Sequence, residues 1–358
     1  MNKKYFIISF TASLLILSYL YTNNYTSFFN DYYNKNIYVY LDKFLSFFSI
    51  VPFSVGDLLY AIVVLFILLK SYNLIKLKKY IKLFYVLSCC IITFLALFQL
   101  FWGFNNYKYS VANQLKLENN YSKSDLDSIT NRLIYIVNKQ QTAITKNTEK
   151  KVEIKLDLDN FNCVAKQNYT KLPENLKSIL IENKINKVKP SLYSHVLSYA
   201  GFSGYFNPFT HENQVNIKIP TVGMPVTVAH EMAHQLGIAS EAEANFFGYK
   251  NMLQSNELHF KYAANLYALK YCLKEYKIEN EETYQLLFNQ LNKGVQENIL
   301  ESELFWKNKR NVSSYVLKYM YGTFLKMNNQ KEGIRSYNKF VDLLINYNKK
   351  YPKDASFY

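Results

Sequence analysis

Three long apolar stretches dominate the first third of the chain. Residues near 5–21, 53–70 and 83–104 are rich in Ile, Leu, Val and Phe and poor in charge. With its flanks, each is long enough to cross a hydrocarbon layer of about 30 Å as a helix. The first follows Lys3 and Lys4 and leads into Thr22-Asn23-Asn24 and Tyr- and Phe-rich sequence without a small-residue cleavage site, so it reads as a retained anchor. Beyond residue 104 the pattern becomes that of a folded domain. Ser124 to Asn138, Tyr249 to Tyr276, Glu281 to Asn298 and two stretches after Val312 carry helical periods. Lys151 to Leu156 and Gln214 to Ile219 instead alternate polar and apolar positions, as half-buried strands do. The expected class is α+β: three amino-terminal transmembrane helices within 1–104, then one mostly helical domain with a small sheet over 105–358.

Charge orients the membrane segments. Lys70, Lys76, Lys78, Lys79 and Lys82 lie between the second and third stretches with no acid, whereas Asp31, Lys35, Asp42 and Lys43 balance between the first and second. By the positive-inside tendency the amino terminus and the lysine-rich turn are cytoplasmic and residues 105–358 lie outside. Trp102 and Tyr107 are then expected at the outer interface, where amphipathic rings settle. The net charge of +15, from 42 Lys and Arg against 27 Asp and Glu, suits anionic head groups or acidic substrates. No nucleic-acid module accompanies it. Cys89 and Cys90 fall in the third stretch, and Cys163 and Cys272 in the outer domain are free to pair in an oxidising compartment.

The chemistry concentrates in His230-Glu231-Met232-Ala233-His234. The chain has only five histidines, and two of them sit four apart, one helical turn, so both can offer a ring nitrogen to one Zn²⁺. Glu231 between them is placed to act as general base on a water beside the metal. Pro225 opens the apolar run that carries the motif, and Gly237 ends it. Ser240 and Glu243 fit a capping box at the start of a second helix. Glu241 is then free to return to the histidines as third ligand, with Glu243 the alternative, and Asn245 one turn beyond Glu241 is expected to support the site. Gln214 to Lys218, just ahead of the motif, is a candidate edge strand for an extended peptide. His211 is a substrate contact, a competing metal ligand or a locally bonded loop residue, while His195 and His259 read as structural. Arg335 and Tyr337 are candidates to stabilise the oxyanion formed at an attacked carbonyl.

Several of these features together resemble the bacterial family DUF3810. They are the three membrane segments, Phe101-Trp102-Gly103, Asn207-Pro208-Phe209-Thr210, His234-Gln235-Leu236-Gly237, Glu241-Ala242-Glu243-Ala244-Asn245, Phe324-Leu325-Lys326 and Gly333 to Tyr337. That family in turn resembles gluzincin membrane proteases such as HtpX and the CAAX prenyl proteases. Their Glu-x-x-Ala-Asp pattern is matched by Glu241 to Asn245 with Asn in place of Asp, and only six residues separate His234 from Glu241. Thr210-His211-Glu212-Asn213-Gln214 departs from the Thr-Gly-Glu-Ala-Asn usual there. The resemblance implies a zincin-like fold in a multi-pass protein of the bacterial inner membrane, its catalytic domain facing the periplasm or exterior. The expected function is zinc-dependent metallopeptidase action on envelope or exported polypeptides. The alternative is a non-catalytic envelope scaffold or assembly protein that retains a zinc site. The expected partners are a polypeptide substrate and the lipid bilayer.

Overall fold

The computed structural model describes residues 26–118, 120–327, 339–352 and 354, together with 7, 10–12 and 14. It is mostly helical with one three-stranded sheet, the α+β class expected. Helices α1 (Val55–Lys76) and α2 (Tyr80–Phe101) are each long and apolar enough to cross a membrane. They coincide with the second and third apolar stretches, while most of 5–21 lies outside the described residues. Ile62, Phe66 and Leu69 of α1 and Ile81, Phe84 and Ile91 of α2 all stand exposed, which a helix in a water-soluble core avoids. Ser54 caps α1 by accepting the Asp57 N–H.

The chain ahead of α1 belongs with the folded body. Helical segments Phe28–Tyr38 and Val39–Leu45 bury Phe29, Tyr33 and Tyr38 against Phe104 and Tyr107. The Tyr38 hydroxyl donates to the Gln235 carbonyl. The expected interfacial placing fails for Tyr107, which is buried in that aromatic cluster, while Trp102, half-buried at the end of α2, packs on Phe206 and His234.

The rest of the fold surrounds one helix. α3 (Lys123–Thr145) starts at a Ser122–Asp125 capping box, and α4 (Leu158–Thr170) at an Asp157 cap. Between them, Lys151 to Leu156 keeps the alternation expected of a strand, with Val152 and Ile154 buried, yet no strand pairs with it among the described residues. The Asn298 side chain takes a strand's place, accepting the Val152 N–H and donating to the Val152 carbonyl. β1 (Val188–Pro190), α5 (Ser194–Ala200), β2 (Gly204–Asn207) and β3 (Glu212–Val215) follow. The sheet order is β1-β3-β2, with β1 parallel and β2 antiparallel to β3.

β3 is therefore central, which corrects the expectation of an edge along Gln214 to Lys218. Gln214 faces Lys189 on one side and Tyr205 on the other, so its backbone has no ladder positions to spare. α6 (Met224–Gln235) crosses this sheet with Met224, Val226, Val228, Ala229, Met232 and Ala233 buried. It packs most closely on α7 (Glu241–Leu253), and α8 (Leu258–Glu279) lies against both. α9 (Glu281–Phe288), α10 (Lys293–Lys309), α11 (Val312–Met327) and α12 (Lys339–Lys350) complete the described chain. The continuous helical period from Tyr249 to Tyr276 is thus divided between α7 and α8, where Ser255 Oγ accepts the Glu257 N–H in the turn.

Candidate metal centre

α6 places His230 and His234 one turn apart with ring centroids 4.6 Å from each other and planes at 89°. Gly237, at φ +85°, ends the helix in the left-handed region that glycine enters at least cost. A Cβ there would also stand 2.5 Å from Ile181 Cδ1. The short turn returns α7 alongside α6, and Gly248 lets the two helices close. A Cβ at Gly248 would stand 2.8 Å from the Val226 carbonyl oxygen and 3.2 Å from the His230 nitrogen. Glu241 Oε2 consequently lies 3.4 Å from His230 Nε2 and 3.9 Å from His234 Nε2.

Glu243, the alternative ligand, points elsewhere. Its Oε1 accepts the Val111 N–H at 2.7 Å, and burial raises its carboxyl to about 7 against the pull of that bond and of Lys108. The capping box expected of Ser240 and Glu243 does not form, because Ser240 makes no side-chain cap and Glu243 is engaged by Val111. Glu241 is nevertheless the acid that meets the histidines.

The electrostatics sort the four groups. Burial draws His234 down to about 4, assisted by His230. Its Nδ1 lies 2.7 Å from the Ile238 carbonyl, so with the proton on Nδ1 the lone pair at Nε2 faces Glu241. Burial also pulls His230 down, but the hydrogen bond to Glu241 and the nearby Glu231 outweigh it and leave the ring raised. Glu241 is buried, yet His230, His234 and a hydrogen bond from Tyr321 hold its carboxyl down at about 2. Glu231 goes the other way: burial lifts it to about 8, opposed by His230 and aided by Glu241. Its Oε2 is buried with no hydrogen-bond partner among the described residues. Gly204 of β2 makes room for it, since a Cβ there would stand 2.5 Å from Glu231 Oε1.

Residues around the centre hold its ligand candidates in place. Asn245 accepts from the Tyr267 hydroxyl at 2.6 Å, donates to the Tyr271 hydroxyl at 3.3 Å and hydrogen-bonds His230, the supporting role expected of it. Tyr321 of α11 donates to Glu241 Oε1 at 2.6 Å. Sequence reasoning missed Tyr321, one of 33 tyrosines, eighty positions from its partner. Arg335 and Tyr337 lie outside the described residues.

His211 is fully buried, its Nδ1 3.0 Å from Asp42 Oδ1 and its ring between Tyr38 and Phe206. Glu212 accepts the N–H groups of Val55 and Gly56 and the Lys189 ammonium. Those two residues thus join the hairpin to the chain leading into α1. Cys163 is exposed and Cys272 buried, and both are free thiols.

The centre opens on a cavity of about 820 Å³ lined by His230, Glu231, His234 and Glu241, the edge strand β2, Tyr60 of α1 and Trp102. The donor set fits a Zn²⁺ ion. Ligand atoms of His230, Glu231 and His234 lie within 4.8 Å of one another, and Glu241 Oε2 is nearer still to both imidazoles. Two imidazole nitrogens and one carboxylate oxygen are donor types that a three-ligand zinc site uses. Residues 33–345 match the family model described as Protein of unknown function (DUF3810). No curated protein and no solved structure matches the chain.

Proposed function

The chain belongs to the DUF3810 family, and from its site we propose a membrane-anchored zinc-dependent metallopeptidase that cleaves envelope or exported polypeptides. The observation that carries this reading is the division of labour between two buried acids. Glu241 is paired with both histidines, while Glu231 is buried beside them with no hydrogen-bond partner at Oε2 among the described residues. A purely structural zinc site requires no such spare carboxylate and is ordinarily closed by four protein ligands.

His230, His234 and Glu241 would hold the ion, and Zn²⁺ bound there would lower the pKa of a water and polarise a substrate carbonyl. Glu231 Oε2 takes the proton of the attacking water and hands it to the leaving amine nitrogen. Tyr321 anchors Glu241 through Oε1, keeping Oε2 turned to the imidazoles, and the Ile238 carbonyl keeps the His234 Nδ1 proton in place. Among the described residues only one edge of β2 is taken, by β3, and its residues line the cavity, so an extended substrate pairs there rather than along Gln214 to Lys218. This arrangement is the one a zincin-like relationship implies. The acid-free lysines from Lys70 to Lys82 support an orientation with the turn between α1 and α2 in the bacterial cytoplasm and the site on the outer side of the inner membrane.

The test combines metal analysis with cleavage. Purified chain should carry one zinc, Glu241→Ala should lose it and Glu243→Ala should keep it. Cells bearing Glu231→Gln should retain zinc in the protein while accumulating the uncut envelope polypeptides that native cells process. Zinc-loaded Glu231→Gln that cleaves at the native rate would sink the mechanism.

A further inference from the structure

α11 wears its apolar face outward. Val312, Tyr315, Val316, Tyr319 and Met320 recur at helical spacing and form one stripe, each 54–81% exposed. A helix on a water-soluble domain turns such a stripe inward, and leaving it in water costs about 25 cal/mol for each Å². α11 is nevertheless held to the body from its other side, where Tyr321 bonds Glu241 and meets the Phe202 ring edge-on at 4.9 Å.

Two neighbouring features say what covers it. α5, which packs against α11, exposes Val196 and Tyr199, and Leu192 just before it is exposed too. The Leu192 N–H donates to Asp57 Oδ2 and the Tyr193 hydroxyl to the Asp57 carbonyl, which fixes this region to the first turn of α1. Phe47, Ile50 and Phe53, in the run that enters α1, are exposed as well. The apolar surface is thus continuous with the point where α1 begins its membrane-length run.

We propose that α11, with Val196 and Tyr199 of α5, lies in the outer leaflet of the bilayer that α1 and α2 cross, so that the helix carrying Tyr321 is a membrane-surface helix. Aromatic and aliphatic side chains on one face, with Lys318 and Lys326 in the same helix, are the composition of an interfacial helix. The proposal holds whether or not the centre is catalytic. It requires that α1 and α2 span a bilayer with the Lys70–Lys82 turn on the cytoplasmic side, and it makes the lipid surface a support for the Tyr321–Glu241 bond.

The test uses full-length protein with its four cysteines replaced, reconstituted in phosphatidylethanolamine and phosphatidylglycerol vesicles. Single nitroxide labels are placed through Val196→Cys, Val316→Cys, Tyr319→Cys, Phe66→Cys in α1 and Leu286→Cys on the exposed surface of α9. Circular dichroism confirms folding of each. At 196, 316 and 319 the label should collide freely with oxygen and little with a soluble nickel chelate, as at 66, whereas at 286 nickel should reach it. Nickel access at 316 and 319 equal to that at 286 would overturn the proposal. Shielding from both reagents would overturn it too, showing a second copy or residues 5–21 covering the stripe. Nickel access at 66 would remove the membrane premise, and the proposal with it, while leaving the metal and cleavage tests of the centre standing.

Discussion

Glu231 shows how burial sets chemistry at a single residue. Its carboxyl rises from an ordinary 4.5 to about 8 because the folded chain offers it little water and no donor at Oε2. Between pH 4.5 and 8 the folded, metal-free protein keeps a proton that the unfolded chain has released, so stability falls as pH rises through that window. Glu231→Gln removes this dependence. Thermal melts of chelator-treated protein should show little difference near pH 4 and a variant more stable by roughly a few kcal/mol at pH 8. Equal pH slopes for the two proteins would show that Glu231 is not held protonated. Tyr321 reaches the ligand set through its hydrogen bond to Glu241, so Tyr321→Phe should weaken zinc binding about 10-fold or more with the fold intact. Competition with a fluorescent chelator measures it, and unchanged affinity would reduce Tyr321 to a packing residue.

Among the elements, the pairing of α6 with α7 decides the centre. Three signals in the chain prepare it: histidines one turn apart, a left-handed glycine at 237, and a glycine at 248 where backbone meets backbone. Gly248→Ala must push α7 off α6 by several tenths of an ångström against the rigid Val226 carbonyl. The expected cost is about 1–3 kcal/mol of stability, with weaker zinc binding as Glu241 recedes from the imidazoles. Thermal melts and metal titration of the same sample check both, and a variant with native melting and native zinc affinity would show that α7 can shift freely. The strands were less legible. Alternation at Lys151 to Leu156 correctly marked Val152 and Ile154 as inward, but a side-chain amide from Asn298 can satisfy a backbone as another strand would. Alternation at Gln214 likewise gave no sign of which strand would be central, because pairing depends on residues 188–190 and 204–207 arriving from either side.

For the whole molecule, the two long apolar helices and the folded body are tied together. Glu212 receives the N–H groups of Val55 and Gly56, Asp57 accepts from Ser191 and Leu192, and Phe209 at the tip of the β2–β3 hairpin meets Tyr60, Phe94 and Phe101. An export-dependent reporter fused after Tyr358 should be active, and one fused at Lys79 silent, since the acid-free lysine turn resists export. The reverse pattern would overturn the orientation.

The sequence by itself determined the local facts: which stretches are apolar enough for a membrane, the helical spacing of His230, Glu231 and His234, and the glycine stop after them. These depend on neighbours within a turn or two, where residue type and period suffice. Tertiary structure decided the rest. It turned Glu241 rather than Glu243 to the histidines, buried His211 against Asp42, drew Tyr107 into an aromatic cluster and brought Tyr321 to Glu241. Each of these choices turns on which distant group reaches a polar atom or ring first. No local pattern encodes that competition, because it is resolved only when the chain has packed.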